Sequence, residues 1–175
     1  MARKLKTFDV LGLRFRTMQL GAASAFEEVN REGMPDPMDV CRLLEIQTGE
    51  DEWIRLDTRV KVNEYIRERT GFVPAHALLE AVMIAWAAVN TGFLREWKPL
   101  KVPNYLRGDT EARVAPGIDP ILSSLINSGK ASLRELEEYY SLEDAIRLFD
   151  VNMAANITQA DAQWHAAKKA QQKRL

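Results

Sequence analysis

Nine consecutive apolar residues, AVMIAWAAV at 81–89, restrict the fold of this chain more than any other stretch. They lie within a longer apolar segment, 74–93, that is hydrophobic nearly all round, so as a helix it needs protein on every side. A bilayer span would need about 20 largely apolar residues. His76 and Glu80 near the start of this segment, and Asn90, Thr91 and Gly92 at its end, favour a helix buried inside the protein. The 175-residue chain is long enough to surround it with one sizeable core, or with a core and a helical appendage.

The remaining composition narrows the classes of function. Hydrophobic content of 46% fits a globular protein and argues against wholesale disorder. A formal net charge of −1 gives little of the basic field with which a nucleic-acid binder neutralises phosphates. The basic residues that cluster do so at the two ends: Arg3, Lys4 and Lys6, then Lys168, Lys169, Lys173 and Arg174. The second group complements the negative end of a terminal helix, the alternative being contact with RNA or an anionic surface. Cys41 is alone, which rules out an internal disulfide and suits a small core hydrophobe in a reducing compartment. With only His76 and His165 beside it, no zinc ligand set of usual spacing can be written. The first residues are positively charged without an apolar h-region behind them, so secretion is not expected.

Residues 7–20 read as two short arms, with Phe8, Val10 and Phe15 on one side, Arg14 and Arg16 on the other, and Gly12 at the turn. That is a β-hairpin, the one good strand signal, and it needs something to pack on. A helix is expected over 22–31, and another from the Asp36 cap and Pro37 to about Gln47, with Val40, Leu43 and Leu44 as its stripe. Residues 53–69 fit either period; Glu64, Arg67, Glu68 and Arg69 tip the reading towards helix, and Gly71 supplies the stop. Pro99, Pro103, Gly108, Pro116 and Gly117 then break any periodicity, marking a linker. The expected organisation is a helical core with its hairpin at 1–95, a linker at 96–117, and a helical module at 118–175.

In that module Asp119 and Pro120 start a helix that Gly129 ends. Two serine-led starts follow back to back: Ser132 with Glu135, and Ser141 with Asp144. Each hydroxyl can accept an orphan backbone N–H while the carboxylate reaches back to the cap. They write a very short helix, a joint at Tyr139 and Tyr140, and a long final helix. The final helix carries Leu142, Ile146, Phe149, Met153, Ile157, Ala160 and Trp164 at steps of four and three, a heptad-like seam.

Catalytic chemistry is not advertised. No glycine-rich phosphate loop is present, and GKAS at 129–132 lacks the strand and first glycine of one. His76 starts an apolar helix and His165 lies near the end of the last one, so neither is placed as the base of a triad. The carboxylates Glu135, Glu137, Glu138, Glu143 and Asp144 occupy first turns of helices, where negative charge is stabilised by the macrodipole. Core packing accounts for Trp86, and Trp97 is placed to cover the mouth of the linker. The residues with something to offer a partner are those of the final seam: Leu142, Ile146, Phe149, Met153, Ile157 and Trp164. Few elements are at hand to cover its full length, which leaves part of it for a copy of the chain or an extended hydrophobic client.

Three phrases resemble the tail assembly chaperones of long-tailed bacteriophages. FDVLGLRFRTMQL at 8–20 is similar to that family's N-terminal hairpin, and LLEAVMIAWAAVNTGFLREWK at 78–98 to its apolar helix with an Asn–Gly–Phe turn. Residues 121–151, with GKASLREL at 129–136 and YSLED at 140–144, resemble its C-terminal extension. The resemblance implies a non-enzymatic protein of the host cytoplasm, absent from the finished virion, without cofactor, metal, nucleic acid or membrane. Its implied partners are the tape-measure protein, which it keeps soluble, and the tail-tube protein, which it recruits; self-association is compatible. It also implies a division near Gly108 between a short form and an extension. The competing expectation is a structural component of the virion, in the tail or at head completion. The expected fold is mainly α: a helical core, a short N-terminal β-hairpin, and a C-terminal helical module ending in a long helix.

Overall fold

The alternation over 7–20 folds as expected into two antiparallel strands, β1 (Leu5–Val10) and β2 (Leu13–Met18), with Phe8 opposite Phe15. In the computed structural model, which describes residues 3–68, 71, 73–107 and 117–172, that hairpin is half of a larger sheet. Strands β3 (Leu44–Gln47) and β4 (Trp53–Arg55) continue it in the order β1-β2-β3-β4, all antiparallel.

This corrects two helix expectations. The helix begun by Asp36 ends early: α2 is only Pro37–Cys41, with the Asp36 carboxylate accepting from the Met38 N–H at 2.7 Å. Residues 44–46 pair with β2 instead, Ile46 opposite Phe15 and Leu44 opposite Thr17. As a helix they would leave the second edge of β2 with unmatched backbone groups; as a strand they satisfy it and put Leu44 and Ile46 at 0% exposure. Residues 53–55 likewise pair with β3, and helix α3 (Arg59–Val62) starts only after Thr58, running into a π-helical turn at Asn63–Arg67. Its expected last residue, Arg69, lies outside the described residues, as do Gly108, Pro116, Lys173 and Arg174.

Helix α1 (Ala22–Val29) forms where expected. Helix α4 (Ala75–Thr91), followed by a 3-10 turn at Gly92–Arg95, is the apolar segment. Length and composition alone would let Ala75–Arg95 cross a bilayer. Here it buries a single stripe, Leu78, Val82, Met83, Trp86 and Asn90. The expectation of burial all round is corrected: Glu80, Ile84 and Ala87 form an open face, Ile84 being 57% exposed. Alanines supply much of its apolar character, and a small side chain left in water forfeits little transfer energy.

Helices α5 (Pro120–Asn127), α6 (Leu133–Glu138) and α7 (Leu142–Gln172) follow their cap signals. Asp119 accepts from the Ile121 N–H at 2.8 Å. Gly129, at φ 65, closes α5: its N–H donates to Ile126 O, and that of Lys130 to Leu125 O.

Apolar packing forms two clusters. One joins the sheet to α2, α3 and α4 through Phe15, Leu44, Ile46, Leu56, Leu78 and Val82. The other joins α1 to α5, α6 and α7 through Ala25, Phe26, Leu125, Leu136, Leu142 and Ile146. Helix α1 therefore packs against elements about a hundred residues away and further, and Leu20 touches both clusters. Asn90, 5% exposed, ties them: its Oδ1 accepts from the Leu20 N–H at 2.8 Å and its Nδ2 donates to Trp86 O at 2.9 Å.

A candidate interaction surface along the last helix

The site begins at the joint that aims α7. Ser132 and Glu135 form a complete capping box, the serine N–H donating to Glu135 Oε2 at 2.8 Å and the Glu135 N–H to the serine hydroxyl at 3.3 Å. The serine N–H first, and then the serine hydroxyl donating to the same Oε2 at 2.8 Å, hold the Glu135 carboxyl below its ordinary pKa. At the second start the Asp144 N–H donates to Ser141 Oγ at 3.2 Å, and the hydroxyl donates to Asp144 Oδ2 at 2.8 Å; the aspartate takes the hydroxyl rather than the cap's N–H. Between them, Tyr139 O accepts from the Arg3 N–H and Tyr140 O from the Ala22 N–H, each at 2.8 Å. The start of α7 is thus bonded to the beginning of the chain and to α1.

From this joint α7 runs for 31 residues, about 46 Å at 1.5 Å per residue. The six seam residues do not share one environment. Leu142 and Ile146 are each 1% exposed inside the second cluster, and Phe149 packs against it half-buried. These three are held by the chain's own core, so the expectation of a partner surface starting at Leu142 is narrowed. Met153, Ile157 and Trp164 lie further along and stay half-buried.

Beside this part of α7 lies the segment 97–106, WKPLKVPNYL, a strap that meets Trp164 through Tyr105. Trp97 Nε1 donates to Asp150 Oδ2 at 2.9 Å, and the Tyr105 hydroxyl donates to Asp161 Oδ1 at 2.5 Å. That bond, ahead of desolvation and the aspartate's charge, raises the tyrosine pKa. The Tyr105 ring lies 4.7 Å from that of Trp164, whose other neighbours are His165 at 4.9 Å and Lys168 Nζ at 4.9 Å. Trp97 therefore does more than close the linker's mouth. Sequence reading missed Asp150, Asp161 and Tyr105; the signal was two aspartates eleven residues apart, which a helix brings to one side within about 20°.

The other candidate groups are elsewhere. His76 is exposed at the start of α4, and His165 Nε2 lies 3.6 Å from Asp161. Burial first, then the charge of Asp36, pushes the Cys41 thiol up to about 11, which removes its thiolate at neutral pH. Glu138 and Glu143 pair with Arg134 and Arg147 on helix surfaces. No group of three or more His, Cys, Asp or Glu side chains among the described residues could hold a metal ion. A cleft of about 210 Å³ opens between the end of α1 and α4, with Val29, Met34, Met83 and Ile84 in its lining. Beside it the Trp86 indole N–H is buried without an acceptor among the described residues. No protein-family model, curated protein or solved structure matches this chain.

Proposed function

We propose that the chain is a non-enzymatic assembly chaperone for the tails of long-tailed bacteriophages, working in the host cytoplasm. It covers apolar helices of the tape-measure protein, keeps that client soluble, and yields to tail-tube subunits as the tail grows. The observation that carries this reading is α7, a long helix whose first turns are core while Met153, Ile157 and Trp164 beyond them remain half-open. The motif resemblance supplies the setting. Displacement by incoming subunits requires many modest contacts rather than one tight one, and a long, shallow seam provides contacts of that kind.

The test is affinity capture from infected cells with this chain as bait, set beside mass spectrometry of purified particles. A very long helical partner in the captured material, with the chain missing from particles, is the expected result. Fixed stoichiometric presence in particles would instead make it a structural tail or head-completion component.

A further inference from the structure

The strap is fastened in an unusual way. Pro99 and Pro103 have no N–H to give, and Pro103 is extended at φ −54, ψ 141. Among the described residues no backbone group of 98–107 bonds to α7; the bonds present are local, Leu106 N–H to Pro103 O and Arg107 N–H to Asn104 O. Two aromatic donors therefore carry the polar attachment. The strap itself is part-open, Leu100 being 44% and Tyr105 49% exposed, and Asp150 Oδ1 is buried with no donor among the described residues.

Beside the strap the α7 surface has a definite pattern. On a helical projection Met153, Ile157 and Trp164 fall within about 40° of one another, and Asp150 and Asp161 flank that stripe on one side. If the strap lifts, both carboxylates lose their indole and phenol donors. Asp161 keeps only His165 nearby, at 3.6 Å, and Asp150 keeps neither oxygen bonded. The uncovered face is an apolar stripe with two anionic groups on its flank, three helical turns or about 16 Å apart. A second helix repeats its own side chains at the same eleven-residue interval, so it can answer both carboxylates at once while its apolar stripe meets the seam.

We propose that this face of α7 is a docking surface for a partner's amphipathic helix bearing an apolar stripe and cationic side chains eleven residues apart, and that the strap is the occupant such a helix displaces. The inference rests on the reading of α7 as the partner surface and adds the chemistry of the partner and a built-in competitor. The strap keeps the stripe from water until a better match arrives, and its hold sets the apparent affinity, because only the open fraction can bind.

The test uses the full chain and a fluorescein-labelled Leu/Lys amphipathic peptide with lysines at i and i+11, alongside a twin carrying glutamate there. Binding is read by fluorescence anisotropy. Trp97→Phe with Tyr105→Phe leaves an aromatic ring at each position and removes both donors; it should bind the lysine peptide about tenfold more tightly than the unaltered chain. Tyr105→Phe alone, at a half-exposed ring, should give part of that gain. Ile157→Glu in the double variant should abolish binding, and the glutamate peptide should bind at least tenfold more weakly. Amide exchange on the unaltered chain should accelerate at 98–107 and slow at 150–164 when the lysine peptide is added. Equal affinity with and without the two donors, equal affinity for the two peptides, or no acceleration in the strap would each overturn the proposal. The assay needs no infected cell. A failed capture beside a positive peptide result removes tail assembly as the setting and leaves the surface, whereas the reverse overturns this docking surface and leaves the tail-assembly reading standing.

Discussion

At the hairpin tip Leu11 and Gly12 both adopt positive φ, 50 and 79, the signature of a type I′ turn. Glycine takes that conformation freely, whereas a leucine there costs about 1–2 kcal/mol and this one is also 61% exposed. Leu11→Asn should therefore raise stability by about 0.5–1 kcal/mol, seen as a higher urea midpoint at constant slope. Gly21 presents the opposite case. Its φ of −61 suits any residue, but a Cβ would stand 2.0 Å from the carbonyl oxygen of Glu137. Backbone cannot yield as a flexible side chain does. Gly21→Ala should cost about 3 kcal/mol and lower Tm by roughly 5 °C or more in a thermal melt. Neither site was legible in advance: Gly12 announced a turn without revealing what Leu11 would bear, and nothing local to Gly21 points to a helix more than a hundred positions on.

Elements with caps were the most readable. Asp36, Asp119, Ser132 and Ser141 each marked a helix start that the fold uses, because a cap is a local contract between a side chain and the next three N–H groups. Ser141→Ala, at a position 4% exposed, should destabilise the chain by about 1–2 kcal/mol in chemical denaturation. The Glu135 box predicts a pH dependence. Its carboxyl is held below the ordinary value, so its contribution is complete above that value and disappears as pH falls through the lowered one. In an NMR titration Glu135 should have its midpoint below the ordinary glutamate value, and Ser132→Ala should move it up; an unchanged midpoint would remove the box from the acid response. Elements defined by partners were harder. Trp53 and Leu56 fit a helical stripe with Val60, and only the open edge of β3 decides for the strand at 53–55.

At the scale of the whole molecule the two clusters meet around Leu20 and Asn90. Asn90 gives both of its amide groups to main chain, one of them the Leu20 N–H at the crossing from sheet to α1. Asn90→Ala leaves that N–H buried without a partner and should lower unfolding free energy by about 1–3 kcal/mol; Asn90→Ser should lose less if a hydroxyl can still accept. Sequence pattern could place an apolar helix here but not assign Asn90 to the inside, since an asparagine two residues before a glycine reads as punctuation. The long seam was legible as a periodicity. Its division into core and covered surface was not, because 97–106 has no period of its own and is positioned only by what it meets on α7.

The pairing of α1 with α5, α6 and α7 also sets a timetable. Phe26 leaves the ribosome 120 residues ahead of Ile146, with which it shares a cluster. At about 5–20 residues per second that is roughly 6–24 s of translation. Throughout that interval Ala22, Ala25 and Phe26 have their eventual cover still unmade, while the sheet and α4 can already assemble. A product ending near Gly108 would keep that stripe uncovered for its whole life. The two lengths of such a protein would then present different apolar faces to the same cell.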